Sequence, residues 1–250
     1  SALREAAGRP DLQAALRLRK GIPAGGGMGG GSSDAAGALL LLHRFWGLRL
    51  PGATLRRLAA ALGSDVPFFL TGGTALGGGR GEWLRPLPFA GERPILLGLP
   101  PFGTATADVY ASHAALTRSD PGVSLPRLLP GNWRKDKGFS ASRNDLEAVV
   151  LARWPDLATF RDALLREGAL QASVAGSGST VFGTFADEAR LRAAAAALGT
   201  MFVTWRLVET RAIRVAAHVE RGGLPHEHHP SACLSGRGGQ AQGVRFDHPR

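Results

Sequence analysis

The stretch Pro23-Ala24-Gly25-Gly26-Gly27-Met28-Gly29-Gly30-Gly31-Ser32-Ser33-Asp34-Ala35-Ala36 places six glycines in seven positions directly before a run of helix-forming residues. Glycine lacks a Cβ atom, so a ligand can approach the backbone closely and the chain can adopt a positive φ. The N-terminus of the following helix adds unpaired N–H groups and the positive end of the helix dipole. The sequence therefore predicts a phosphate-binding loop, in which Ser32 and Ser33 donate hydroxyl groups to phosphate oxygens or bind a magnesium ion held by them.

Three other interpretations of this glycine loop fit less well. A Gly/Ser tract is commonly a flexible linker, but a linker is not expected to lead into an apolar helix or to carry Met28 among its glycines. A Walker A loop would need a Lys directly after Gly30-Gly31, and none is present. The glycines also satisfy the G-x-G-x-x-G dinucleotide pattern, but a helix is predicted where a second strand ending in an acidic residue would be required.

The composition of the 250 residues is that of an ordinary globular protein, with 44% hydrophobic and 20% charged residues. The apolar runs fall far short of the roughly 20 residues that a membrane span needs, and the first residues do not have the pattern of a signal peptide. A single cysteine, Cys233, excludes an intramolecular disulfide and fits a reducing compartment. We therefore expect a soluble cytoplasmic protein without a membrane partner.

The formal net charge of +10 indicates an anionic partner, either a nucleic acid or a phosphorylated metabolite. The arginines are spread singly along the predicted helices, and no basic run is interleaved with aromatic residues as in proteins that bind single strands. We therefore expect a small-molecule partner and no nucleic acid. The sequence leaves the oligomeric state open.

Hydrophobic periodicity and turn residues predict an α+β fold. The predicted helices cover residues 34–46, 53–62, 107–117, 144–168 and 187–198, with Ser32 and Ser33 as candidates for the first N-cap. The predicted strands cover residues 73–77, 83–87, 94–99, 170–175, 179–185, 200–208 and 211–216. Gly176-Ser177-Gly178 is predicted to join two of these strands in a tight hairpin. Residues 217–250 lose periodicity and predict a disordered tail.

The glycine loop followed by Ser-Ser-Asp-Ala-Ala resembles the ATP-binding loop of GHMP kinases. The resemblance covers about residues 15 to 215 and continues, in order and approximate spacing, through the segments at residues 62–69, 74–82, 144–147 and 175–182. It implies an ATP-dependent small-molecule kinase with magnesium as cofactor. Within the family it is closest to the members that phosphorylate the 2-hydroxyl of 4-diphosphocytidyl-2-C-methyl-D-erythritol in isoprenoid biosynthesis.

The resemblance also implies the GHMP kinase fold, with an incomplete ribosomal-protein-S5-like N-terminal half and a ferredoxin-like α/β C-terminal half. The expected domains are an ATP-binding domain at residues 1–90, a C-terminal domain at 91–216 and the tail at 217–250. The residues expected to bind ATP are Pro23, Ala24, Gly25, Gly26, Gly27, Met28, Gly29, Gly30, Gly31, Ser32 and Ser33. Gly176, Ser177 and Gly178 are expected to support the nucleotide from the opposite side. No set of metal-binding side chains is predicted.

Asp65 is the candidate catalytic residue. It follows the second predicted helix in the polar corner Gly63-Ser64-Asp65, and the apolar residues Val66-Pro67-Phe68-Phe69 come next. A carboxylate beside a hydrophobic wall is suited to accept a hydroxyl proton or to orient an alcohol toward a phosphate. The local sequence alone favours a turn or a helix cap at this position, whereas the resemblance implies that Asp65 is catalytic.

The resemblance further implies a catalytic Lys in an N-terminal Pro-Ala-Lys-Ile-Asn motif and a Gly-Tyr-His segment that helps to bind cytidine. Neither occurs in the 250 residues, and Lys20, just before the loop, matches a family position that is not the catalytic one. We therefore expect that the N-terminal segment of such a kinase is missing, and that this chain alone is inactive unless another of its residues replaces that Lys. Two alternatives stay open: another GHMP kinase, acting on homoserine, mevalonate or a sugar, and a nucleotide-binding remnant without catalysis.

Overall fold

The structure is a computed structural model, and it describes residues 2–81, 83–89, 91–118 and 144–213. The helices in these ranges are α1 (Ala2–Ala6), α2 (Gly30–Phe45), α3 (Gly52–Leu62), α4 (Val66–Thr71), α5 (Thr106–Arg118), α6 (Glu147–Arg153), α7 (Pro155–Arg166) and α8 (Glu188–Met201). The strands are β1 (Thr74–Gly78), β2 (Trp83–Leu87), β3 (Pro94–Leu99), β4 (Gln171–Val174), β5 (Val181–Thr184) and β6 (Arg206–Arg211). None of the helices in these ranges combines the length and apolar character that a membrane span requires.

The strands form two separate antiparallel sheets, as expected for an α+β fold. β1 and β2 make a two-stranded hairpin in which Thr74 pairs with Leu87. The other four strands lie in the order β4-β5-β3-β6, so β3 is an inner strand. In the register of this sheet, Ile95 on β3 lies opposite Thr184 on β5 and Thr210 on β6.

Strand β3 is a continuous apolar run because both faces of its sheet are covered. Side chains of a strand alternate between the two faces. Leu96 therefore points into the main core, which it shares with α7 and α8 residues such as Phe160 and Leu191. Leu97 and Leu99 lie in a different cluster, against which Met28 of the glycine loop packs. A residue from the first half of the chain thus covers a sheet that belongs to the second half.

The helices of the first half form a core of their own. Leu3 of α1, Leu39 of α2, Ala59 of α3 and Val66 of α4 are buried in one cluster. This cluster draws on residues 3–70, and the main core draws on residues 96–207. The expected division into domains at residue 90 stays a prediction.

Helix α2 begins four residues earlier than the sequence predicts. Its N-cap is Gly29, at φ 66°, and not Ser32 or Ser33. The N–H of Ser33 already donates to the carbonyl oxygen of Gly29 at 2.9 Å, so both serines lie inside the first turns. The two glycines before them, Gly30 and Gly31, adopt helical geometry because the left-handed Gly29 turns the chain into the helix.

Two predicted elements of the second half differ in the structure. The helix predicted at residues 144–168 is divided into α6 and α7 at Trp154, because Pro155 has no N–H for a continuous ladder and instead occupies the first turn of α7. The predicted start of the strand at residues 200–208 is wrong, because β6 begins at Arg206. Helix α8 continues to Met201, and the N–H of Phe202 still donates to the carbonyl oxygen of Leu198 at 2.9 Å.

Among the described residues after 200, strand β6 covers the end of the strand predicted at 200–208 and the first residue of the strand predicted at 211–216. The last residues of the predicted strand at 211–216 and the predicted tail at 217–250 lie outside the described residues. Two short helices, α1 and α4, are not predicted. Helix α4 is only six residues long, with Pro67 in its first turn, and its apolar residues read in the sequence as a hydrophobic wall rather than as a helix.

We expect Gly98→Ala to destabilise the fold. Gly98 is an inner residue of β3, and a Cβ atom added there would lie 2.2 Å from a ring carbon of Phe160. The Phe160 ring is fully buried and stacks on Trp205 at 4.5 Å between centroids, so it has little room to move. The free energy of unfolding, measured in urea, should fall by about 1–3 kcal/mol.

Gly37→Ala in helix α2 is the matched control, because no described atom lies within 4 Å of its added Cβ. This change should raise the free energy of unfolding by about 0.5–1 kcal/mol. An unchanged stability of Gly98→Ala would mean that the packing between β3 and α7 is looser than the structure shows.

Candidate functional site

The glycine loop ends at an uncapped helix N-terminus. Gly25, Gly27 and Gly29 all have φ between 66° and 77°, a conformation that favours glycine. No side chain of the described residues caps α2. The N–H groups of its first turn, at residues 30–32, precede the first bond of the helix ladder, and those of exposed Gly31 and half-buried Ser32 are accessible to an anion.

Gly31 is the glycine of the loop that faces open space. It is exposed, and no described atom lies within 4 Å of a Cβ built on it. Of the other residues predicted to bind ATP, Pro23, Ala24, Gly25 and Gly27 are exposed, Met28, Gly29, Ser32 and Ser33 are half-buried, and Gly26 and Gly30 are buried. An exposed glycine in the first turn of α2 leaves the space in which a phosphate group would meet the helix N-terminus.

At several other positions of the loop, glycine is required because neighbouring protein atoms leave no room for a Cβ atom. A Cβ on Gly27 would lie 2.0 Å from the carbonyl oxygen of Ala175. A Cβ on Gly29 would lie 2.8 Å from the ring of Phe69, and one on Gly30 would lie 3.0 Å from Ile22. The sequence predicted open backbone along the whole loop, whereas the structure uses part of it for close packing.

The structure brings the two predicted glycine segments into contact. Gly176 and Gly178 have φ of 56° and 82° in the turn between β4 and β5, which confirms the predicted hairpin. The N–H of Thr180 donates to the carbonyl oxygen of Gly26 at 3.2 Å. A Cβ on Gly176 would lie 3.2 Å from the carbonyl oxygen of Gly27. These two contacts join backbone to backbone, and the side chain of Thr180 also lies against the loop, with its hydroxyl oxygen 3.0 Å from a Cβ built on Gly26.

On one side, the β4–β5 turn is held by the segment before α5. The hydroxyl of Thr104 donates to the carbonyl oxygen of Ser177 at 2.8 Å, and both residues are buried. The hydroxyls of Thr106 and Ser177 lie 2.9 Å apart. Ser179 donates its hydroxyl to the carbonyl oxygen of Phe102 at 2.7 Å. Ser177 is therefore a structural anchor of the turn, with its hydroxyl directed at Thr106.

On the other side, Asn144 holds the turn and Glu147 holds the end of strand β4 that leads into it. The amide of Asn144 donates to the carbonyl oxygens of Val174 at 3.0 Å and Gly176 at 2.7 Å. A carboxylate oxygen of Glu147 accepts from the N–H of Val174 at 3.0 Å. The sequence pointed to Asn144 as the start of a helix and as part of a segment that resembles the family, and its contact with a turn about 30 residues away had no local signal.

Asp65 lies at the N-terminus of the short helix α4 and is exposed. Its side chain makes no capping bond to α4, so the local alternative of a helix cap is wrong, but the predicted turn is present: the N–H of Val66 donates to the carbonyl oxygen of Gly63 at 3.2 Å. Phe69, one helical turn further on, is the residue whose ring contacts Gly29. Helix α4 therefore places the candidate carboxylate on an element that packs directly against the glycine loop.

Turn residues of the small sheet support the corner that carries Asp65. A Cβ on Gly81 would lie 2.4 Å from the carbonyl oxygen of Ser64. The φ of Gly81 is 110°, so both the space and the backbone conformation favour glycine here. The turn between β1 and β2 therefore packs against Ser64, next to Asp65.

An ion pair joins the segment before the loop to helix α2. The ammonium group of Lys20 donates to a carboxylate oxygen of Asp34, whose side chain is only 15% exposed. This carboxylate lies in the second turn of α2, where it would disfavour an anion at the helix N-terminus. The charge of Lys20 compensates it.

Among the described residues, no group of three or more His, Cys, Asp or Glu side chains could hold a metal ion. The hydroxyls of Ser32 and Ser33, in the first turn of α2, are oxygen donors of the kind that magnesium accepts beside phosphate oxygens.

Comparison with protein families finds two matches. Residues 1–73 match the GHMP kinases N terminal domain, and residues 127–204 match the GHMP kinases C terminal domain. The N-terminal match includes the glycine loop and Asp65, and the C-terminal match includes the β4–β5 turn.

Similar curated proteins are named 4-diphosphocytidyl-2-C-methyl-D-erythritol kinase. The protein of Synechococcus sp. (strain JA-3-3Ab) is 43% identical over 73% of this chain and 62% of its own length. The protein of Pelotomaculum thermopropionicum is 41% identical over 78% of this chain and 68% of its own length. The chain thus spans roughly two thirds of these relatives.

The solved structures show the same fold. A crystal structure of 4-(cytidine 5'-diphospho)-2C-methyl-D-erythritol kinase superposes with a TM-score of 0.65 at 33% identity and covers 84% of this chain and 75% of that chain. A homoserine kinase from Cytophaga hutchinsonii superposes with a TM-score of 0.59 at 18% identity, over 78% of this chain and 68% of that one. At 18% identity, the similarity to the homoserine kinase indicates a shared fold only.

We expect Thr104→Val to weaken the anchor of the β4–β5 turn. The variant has nearly the same shape but leaves the buried carbonyl oxygen of Ser177 without its donor. The free energy of unfolding should fall by about 1–3 kcal/mol. Thr200→Val is the control, because its hydroxyl bonds to the carbonyl oxygen of Ala197 on an exposed part of α8. Its effect should stay within about 0.5 kcal/mol, and an equal effect of the two variants would contradict the anchoring role of Thr104.

Proposed function

Since the chain belongs to the GHMP kinase family, we propose that it phosphorylates the 2-hydroxyl of 4-diphosphocytidyl-2-C-methyl-D-erythritol, with ATP as phosphoryl donor and magnesium as cofactor. The names of the relatives at 43% and 41% identity support this substrate. One observation about the site supports the proposal most: the uncapped N-terminus of α2 lies beside the helix that carries Asp65.

The glycine loop fits the phosphate groups of ATP. The first-turn N–H groups of α2 can donate to phosphate oxygens, and the helix dipole favours negative charge at this end. Gly31 leaves the approach open, and the charge of Asp34 is compensated by Lys20. Ser32 and Ser33, in the same turns, offer hydroxyl groups to phosphate oxygens or to magnesium.

Bound ATP with magnesium would supply the phosphoryl group and the positive charge that offsets its oxygens. The task of the protein is then to position the acceptor hydroxyl and to take up its proton. Asp65 is the residue proposed for this task, because it is exposed and makes no capping bond to its own helix. The glycine turn at 176–178 is proposed to support the loop from the opposite side.

The test of the proposed function is ATP-dependent release of ADP by this chain, with and without 4-diphosphocytidyl-2-C-methyl-D-erythritol. Homoserine and mevalonate are the comparison acceptors. ADP release that depends on the cytidyl substrate alone would confirm the proposal. ATP binding without ADP release by the folded chain, or release driven by another acceptor, would contradict it for these 250 residues.

Gly31→Val should weaken ATP binding by about 10- to 100-fold, because hydrogen bonds from N–H groups to a charged phosphate are worth about 1.5–3 kcal/mol and the branched side chain would occupy the phosphate position. Isothermal titration with ATP and magnesium measures this change. Gly37→Val is the matched control in the same helix, since both added Cβ atoms meet no described atom within 4 Å. Equal ATP affinity of the two variants would contradict phosphate binding at the N-terminus of α2.

Asp65→Asn should abolish substrate-dependent ADP release and leave ATP affinity nearly unchanged. The variant keeps the shape of the side chain but removes the carboxylate that accepts the hydroxyl proton. Asp156→Asn, on the exposed first turn of α7, is the control and should retain full activity. If Asp65→Asn instead loses ATP affinity or thermal stability in parallel with turnover, Asp65 has a structural role.

A further inference from the structure

Asn144 forms hydrogen bonds through both the nitrogen and the oxygen of its side-chain amide. Its nitrogen donates to the carbonyl oxygens of Val174 at 3.0 Å and Gly176 at 2.7 Å. Its oxygen accepts the N–H of Leu146 at 3.0 Å, at the start of α6. The side chain therefore links the end of strand β4, the first glycine of the β4–β5 turn and the helix behind them.

The turn that Asn144 holds is itself the support of the glycine loop. The carbonyl oxygen of Ala175, next to Gly176, is one of the atoms that leave no room for a Cβ on Gly27. The backbone of Gly176 lies against the carbonyl oxygen of Gly27, and the N–H of Thr180 donates to Gly26. Because these contacts join backbone to backbone, a displacement of the turn cannot be absorbed by a change of side-chain rotamer.

We propose that Asn144 is a positioning residue for the glycine loop, acting through Gly176 on Gly27 without touching the nucleotide. Glu147 has a different part in the same region, since it accepts the N–H of Val174 and so holds the strand rather than the turn. The consequence for ATP affinity rests on the proposed function. The positioning of the loop in the ligand-free chain is independent of the proposed function.

Asn144→Asp is the sharpest variant for this test. It keeps the size of the side chain and the acceptor for the N–H of Leu146, but it replaces the donor by an oxygen that faces two carbonyl oxygens. The amide of Thr180 reports on the contact directly, because it donates to Gly26. Its hydrogen exchange in the ligand-free chain should become roughly tenfold faster or more, and exchange in residues 25–31 should rise with it.

Two controls separate positioning from general destabilisation and from added charge. Leu191→Ala removes a fully buried side chain of α8 and should raise exchange across the core without singling out the loop. Ala148→Asp adds the same charge at an exposed position of α6, four residues from Asn144, and should leave the exchange of Thr180 unchanged. If Asn144→Asp alters exchange in the same pattern as Leu191→Ala, the positioning role is overturned.

Steady-state kinetics of the same variant test whether the position of the loop affects ATP binding. Asn144→Asp should raise the KM for ATP by roughly tenfold, the size expected for losing one such interaction, and change kcat much less. An unchanged KM for ATP together with a loosened loop would overturn the link to nucleotide binding. A wild-type chain that binds no ATP would overturn the proposed function instead, while the exchange of Thr180 would still decide whether Asn144 positions the loop.

Discussion

The contact between two glycine turns is the constraint on which the rest of the site depends. The carbonyl oxygen of Gly26 accepts from Thr180, and Gly27 lies against Ala175 so closely that a single methyl group would not fit. One turn leads into helix α2, and the other joins two strands of the four-stranded sheet. The N-terminus of α2 is therefore oriented by the sheet of the other half of the chain. The position of Asp65 depends on the same contact, because Phe69 on its helix packs against the glycine loop.

Glycine has two distinct uses in this loop, and the difference matters for its chemistry. At Gly31 the missing side chain leaves space for a ligand, whereas at Gly27, Gly29 and Gly30 it leaves space for protein atoms. A loop made only of the first kind would be flexible and would lose conformational entropy on binding. The packed glycines hold the backbone in place before a ligand arrives, which reduces that loss.

The sequence predicted the parts of this site that depend on local features. The loop, the tight hairpin and the α+β class follow from glycine content, turn residues and periodicity, and β1, β2 and β3 lie within about one residue of their predicted bounds. The rest depends on contacts between distant residues. Gly30 is buried because Ile22 lies against it, and Asn144 bonds to residues 30 and 32 positions away. Neither contact leaves a periodic or compositional signal in the sequence.

Met28 has a consequence for the cooperativity of the whole chain. Its side chain belongs to the first half by sequence, yet it packs against Leu97 and Leu99 on the sheet of the second half. The two halves have separate cores, which by themselves would favour two independent folding units. When the loop separates from the sheet, this apolar face is exposed to water. Unfolding of either half therefore also destabilises the other half. A ligand held by the loop would accordingly stabilise both halves through mass action, and not just the half that contains the loop.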